Sequence, residues 1–143
     1  GFSDGGNTAL CFAAKYPELV DRLIVWGANL YPSGVKNIAM IPIRILRKIV
    51  DLFSKIDIRA KLHSEKLALV TNEPYISETE LENIHARTLI LGGTHDIIKT
   101  EHTRLISRCI PKAKLCLIPG GHFISSRKPK IFNKAVLNFL EEK

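Results

Sequence analysis

Ser3, Asp96 and His122 are the residues of this sequence whose types and neighbours suit them to act together. Ser3 lies in Gly1-Phe2-Ser3-Asp4-Gly5-Gly6, a G-x-S-x-G run of the kind that forms a nucleophile elbow, the sharp strand-to-helix turn that lifts a serine hydroxyl out of a sheet. Asp96 ends Gly92-Gly93-Thr94-His95-Asp96, and His122 lies in Pro119-Gly120-Gly121-His122-Phe123. A free hydroxyl is a poor nucleophile, so a histidine must take its proton and later give it to the leaving group. A carboxylate on the other ring nitrogen then fixes the tautomer and stabilises the imidazolium. The chemistry within reach is acyl transfer. Alone, a serine in a glycine-rich stretch reads as a turn residue or helix cap; the downstream Asp and His, in that chain order, make it a nucleophile.

Other ionisable residues fit that role less well. His95 shares the turn of Asp96 and reads as an exposed loop residue, as do His102 within a helical run and His85 ahead of a strand, while His63 reads as solvated. Asp21 precedes a strand, the wrong end of a sheet for a site, and reads as a surface charge. Asp4 adjoins the nucleophile: its side chain is placed to favour a cationic group on a substrate or, more simply, to complement the dipole of the helix that starts there.

The elements that must position these residues alternate. Thr8 to Lys15 reads as a buried helix stopped by Pro17, and Val20 to Gly27 ends in the continuous apolar run of a strand covered on both faces. Thr88 to Gly92 and Lys114 to Ile118 read as further strands, with a helix from Thr100 to Cys109 between them. A last helix starts at Pro129, and its residues Ile131, Phe132, Ala135, Val136, Phe139 and Leu140 recur at helical spacing and should pack on the sheet. Strands separated by helices imply a parallel sheet with right-handed crossovers, an α/β fold whose strand ends face one crevice.

Residues 30–85 break the pattern. Ile38 to Phe53 and Ser64 to Thr71 read as helices, and Ser77 with Glu80 forms a capping box for a third. With no strand signal, the block reads as an inserted helical cap between two core segments, 1–29 and 86–143. Its stripe of Ile38, Ile41, Ile45, Ile49, Leu52 and Phe53 is expected to pack against the sheet, with part of it lining an acyl pocket.

Composition bounds the rest. At 143 residues, 45% hydrophobic and 24% charged, the chain reads as one globular domain with a sizeable core. No apolar stretch is long enough to span a bilayer and no secretion signal opens the chain, so a cytoplasmic protein without membrane contact is expected. Cys11, Cys109 and Cys116 are few and scattered, with no metal-ligand spacing, and read as buried reduced thiols. The net charge of +7 is spread out; its densest patches, Arg44 to Lys48 and Ser126 to Lys130, carry no interleaved aromatics, which argues against nucleic acid.

In these three loops and their order the sequence resembles the α/β-hydrolase superfamily, particularly its valacyclovir-hydrolase-like and small-esterase branch, where the elbow likewise reads G-x-S-D-G-G. Lys15-Tyr16-Pro17, Trp26-Gly27-Ala28-Asn29, the G-x-x-x-D turn and Gly120-Gly121-His122-Phe123 also match. The resemblance runs over Gly1 to Gly27 and Arg87 to Glu142 and is loose in the cap. It implies a serine hydrolase using Ser3, Asp96 and His122 on a small ester, thioester or amide, with no metal or organic cofactor. It further implies that the backbone N–H of Asp4 is one oxyanion donor, that the Asp4 side chain faces a substrate ammonium, and that Gly1 and Gly5 leave room for the turn. The family's second oxyanion donor precedes the elbow. On that ground the chain is expected to match the C-terminal part of the fold, to be inactive alone, and to cover its open sheet edge by homo-oligomerisation or by pairing with an N-terminal half.

Overall fold

The computed structural model describes residues 1–53 and 56–142; Ser54 and Lys55, inside the expected cap, and Lys143 lie outside the described residues. The order is α1 (Asp4–Lys15), β1 (Arg22–Trp26), α2 (Asn37–Phe53), α3 (Ile58–Asn72), α4 (Glu78–Leu81), β2 (Arg87–Gly93), α5 (Thr100–Cys109), β3 (Ala113–Ile118), α6 (Ile124–Arg127) and α7 (Pro129–Glu141). The three strands form one parallel sheet in the order β1-β2-β3, with Trp26 opposite Leu91 and Leu91 opposite Cys116. Because all run the same way, β1, β2 and β3 deliver their following loops to one rim, as the sequence predicts.

The layers follow from the two-residue period of a strand. On one face Leu23, Val25 and Ile90 pack with Leu10 and Ala13 of α1, Leu81 of α4 and Ile106 of α5. On the other, Leu89, Leu91 and Ile118 pack with Phe132 and Phe139 of α7 and Ile124 of α6, and with the half-buried Ile24 and Trp26. β2 is buried on both faces over almost its whole length, which is why it reads as an unbroken apolar run. α7 meets the sheet through Phe132 and Phe139, but Ile131 is exposed and only part of its expected stripe is used. Arg22, Arg87 and Lys114, one on each strand, reach Leu140 and Glu142 at the end of α7, tying the helix across the sheet.

Local signals set the helix ends. The capping box at α4 forms in full, with Ser77 and Glu80 each bonded to the other's backbone N–H. α3 begins at Ile58, earlier than its apolar spacing suggests, because the Asp57 carboxylate accepts the Arg59 N–H at 2.9 Å. α2 and α3 pack on each other, joined by Arg47 bonds to Thr71 Oγ1 (2.6 Å) and Asn72 Oδ1 (3.1 Å) and by Ser64 to Asp51.

Two expectations change. The stripe of Ile38, Ile41, Ile45, Ile49, Leu52 and Phe53 does not pack on the sheet; all six side chains are exposed, because α2 turns the opposite side, with Met40, Ile43 and Arg47, inward toward the cavity and α3. The cysteines are free thiols but not buried: Cys11, on α1, is exposed, and Cys109 and Cys116 are half-buried.

Candidate active site

Ser3 stands in the turn between a strand stub and α1. Phe2 pairs in parallel with Trp26, and the Ser3 N–H donates to Trp26 O at 2.9 Å, so the chain enters the turn as a strand laid beside β1. Ser3 has φ 52°, a positive value that a side-chain-bearing residue adopts only when its surroundings over-determine it. Gly1 is required there, since a Cβ on it would lie 2.4 Å from Gly5 O. Gly5 is not: a Cβ there meets nothing within 4 Å, and the tighter contact is Gly6, 3.1 Å from the Ala28 methyl. α1 begins at Asp4, so the Asp4 N–H is the first of the helix and has no partner within it, and the positive end of the helix dipole lies at the Ser3 hydroxyl.

The loops after β2 and β3 bring the other two residues in. His122 Nδ1 lies 2.7 Å from Asp96 Oδ1, and His122 Nε2 lies 3.1 Å from Ser3 Oγ. An ionised carboxylate only accepts, so Nδ1 carries the proton and donates it to Asp96, leaving Nε2 to accept from the serine hydroxyl. Asp96 is 2% exposed. Burial pushes its carboxyl up; the bonds from His122 and from the Ile98 N–H (3.0 Å) outweigh this and hold it below the usual carboxylate range. Gly27, with φ +64°, closes the site from below: a Cβ there would sit 2.7 Å from His122 Cε1. The Phe2 and Phe123 rings flank the imidazole with centroids 4.8 and 5.5 Å away.

A cavity of about 320 Å³ opens beside Ser3, between the strand ends and the α2–α3 pair. Met40, Ile43, Leu69, Ile97 and Ile98 supply much of its apolar lining, and Asp4, Glu73, Asn7 and Asn29 its polar groups. Asn7 and Asn29 are buried and bonded to each other: Asn7 Oδ1 accepts the Asn29 N–H at 2.9 Å, and Asn29 Nδ2 donates to Tyr31 O at 3.2 Å.

Ser3, Asp96 and His122, chosen from sequence, are thus brought together, and Asp4 stands exposed at the cavity with its backbone N–H at the turn. Asp21 is exposed at the opposite end of β1, against Arg22, and His63, His85 and His95 are exposed. His102 is not: at 6% exposure it accepts the Leu30 N–H on Nε2 at 2.8 Å, and its ring meets Tyr31 edge-on with centroids 4.6 Å apart. The sequence reading gives no role to Glu73, Asn7 or the Asn29 side chain. Asn29 carries a signal, a polar residue directly after the carboxyl end of an apolar strand; Glu73 carries none, because its approach to the cavity depends on how α3 packs.

No family model matches the chain. It is 28% identical to the serine hydrolase BPHL of Mus musculus over 156 residues, covering 99% of this chain and 53% of that protein. Among solved structures, a meta-cleavage product hydrolase from Pseudomonas fluorescens IP01 superposes with a TM-score of 0.71 at 22% identity, covering 98% of this chain and 62% of its own. MGS-MChE2, an α/β-hydrolase enzyme from a lagoon-sediment metagenome, superposes with a TM-score of 0.71 at 23% identity over 99% and 59%. The chain spans about half the length of the curated serine hydrolases it matches. From the serine turn onward, the chain has the fold of an α/β-hydrolase and is similar to hydrolases along nearly its whole length.

Proposed function

We propose that this chain carries the C-terminal part of a serine hydrolase that cleaves a small ester, thioester or amide through an acyl-enzyme intermediate, with Ser3 as nucleophile, His122 as general base and then general acid, and Asp96 as the group that orients the histidine, turnover requiring an N-terminal part of the fold for the second oxyanion donor. The observation that carries this reading is the unbroken hydrogen-bonded path from Ser3 Oγ through both nitrogens of His122 to the buried Asp96. In the first half-reaction Oγ bonds to the acyl carbon as its proton passes to Nε2, the carbonyl oxygen takes up the negative charge near the Asp4 N–H, and the Nε2 proton leaves with the alcohol, thiol or amine. Water, deprotonated by the same nitrogen, then releases the acid and restores the serine. No step calls for a metal or organic cofactor.

Treatment with a fluorophosphonate tests the reading. Mass analysis is expected to find one adduct, on Ser3, that is absent from Ser3→Ala; adduct levels equal in the two proteins would overturn the assignment. The substrate side is expected to be cationic, because the cavity beside Ser3 is lined by the carboxylates of Asp4 and Glu73 and by no Lys, Arg or His among the described residues. With the chain paired to an N-terminal half of the fold, Asp4→Asn is expected to raise KM for an amino-acid ester about two- to fivefold, in line with the loss of one partly exposed charge pair, while leaving a neutral ester of the same alcohol unchanged. Equal effects on both esters would remove Asp4 from substrate recognition.

A second reading is a non-catalytic fragment that associates through its sheet edge. It is favoured by the edge of β1, which among the described residues is paired only by the short Gly1–Ser3 stretch. It predicts no adduct on Ser3 together with concentration-dependent self-association in sedimentation.

A further inference from the structure

α2 carries two apolar surfaces of opposite fate. Ala39, Met40 and Ile43 line the cavity, whereas Ile38, Ile41, Ile45, Ile49, Leu52 and Phe53 look outward, from 49% exposed at Ile49 to 80% at Ile38. At 100° per residue the outward six fill an arc of about 120° and run about 24 Å along the helix. Leu46 widens the patch, and beyond the helix end Ile56, 86% exposed, stays close through its N–H bond to Phe53 O. A continuous surface of this size is not the scatter of single apolar residues that any protein shows.

Charge discriminates among the occupants that such a face could take. Arg44 and Lys48 lie along one border of the arc, both exposed and neither with an acidic partner among the described residues. Arg47, the third basic residue of α2, is turned to Asp51 and α3. A second copy of the chain would set this basic border against its own equivalent in a molecule already carrying +7. An anionic bilayer suits both parts of the surface, with the isoleucines entering the boundary between headgroups and acyl chains while the long stems of Arg44 and Lys48 reach back to lipid phosphates and carboxylates. Among the described residues no helix is long and apolar enough to cross a membrane, so contact of this kind lies in the plane of the surface.

We propose that α2 is an interfacial helix that docks the protein on anionic membrane surfaces through the outward stripe from Ile38 to Phe53, with Arg44 and Lys48 as its electrostatic border. This departs from the sequence-based expectation of no membrane contact, which rested on the lack of a bilayer-spanning apolar stretch and of a secretion signal. Docking needs only the outer side of α2 and stands whether or not Ser3 is catalytic.

Co-sedimentation of the full chain with phosphatidylcholine vesicles, with and without phosphatidylserine, tests the proposal. Binding is expected to the phosphatidylserine vesicles and to weaken as salt is raised. The double variant Ile45→Glu, Ile49→Glu is expected to abolish it. The pair Arg44→Gln, Lys48→Gln is expected to weaken it about tenfold or more. All four side chains are exposed, so both variants are expected to keep the parent's circular dichroism and melting temperature, which controls for misfolding. Equal binding to both vesicle types, binding that survives the double glutamate variant, or a lipid-free dimer dissociated by that variant would overturn it.

Discussion

Ser3, Gly27 and His122 show how closely single residues are constrained at the site. The strained backbone at Ser3 is held by its N–H bond to Trp26 O, and the imidazole stands over Gly27 at a distance no side chain could share. Gly27→Ala combines a positive φ with that collision, and it is expected to destabilise the fold by about 1–3 kcal/mol in urea titration and to slow phosphonate labelling of Ser3. Gly5→Ala makes the opposite case: it lies in α1 with open space at its Cβ and is expected to be neutral or stabilising by up to about 1 kcal/mol. A result that ranked these two glycines the other way would refute the account of the turn. Ser3, Asp96 and His122 could be found from sequence because glycine-rich loops after apolar runs leave a local trace. Gly5, by contrast, looked necessary only because it completes the motif.

At the scale of elements, helical spacing revealed which residues share a face but not what covers that face. The stripe on α2 and the buried face of α5 illustrate the two outcomes: one reads as core and is exposed, and the other holds a histidine that reads as exposed and is buried. His102 lies one turn before Ile106, a buried residue, so its placement had a signal that its charge chemistry obscured. Its bond ties α5 to the connection from β1 to α2, and Gly34 lies flat against its ring. Burial, with the nearby Lys99 charge adding and Glu78 opposing, lowers its affinity for protons below the ordinary value of 6.5. The unfolded chain therefore protonates first as pH falls, and the stability due to the neutral ring is full above about pH 6.5 and is lost on acidification below it. His102→Gln keeps an acceptor for the Leu30 N–H without a titrating group. Urea midpoints measured across this range are expected to fall less steeply for that variant than for the parent; parallel curves would refute the role given to His102.

For the molecule as a whole, the alternation of strand and helix was legible because β2 is buried on both faces and the strands run parallel with helices between them, whereas the rotation of α2 and α3 about their axes depends on packing that no local pattern records. The packing of the core can be sampled in solution through the cysteines, which sit on α1, α5 and β3. All three thiols are expected to react with a disulfide reagent without denaturant, Cys11 first, and faster as pH rises, because partial burial raises each of them above the usual thiol value. A thiol that reacts only after unfolding would mean tighter packing than described. The stretch from Gly27 to Gly34 belongs at once to the floor under His122, to the bonds made by Asn29 and Leu30, and to the path into α2. Chimeras that graft the α2–α4 segment of a relative onto this scaffold should therefore place their first junction after Gly34, since a seam cut earlier would exchange the support of the imidazole along with the grafted helices.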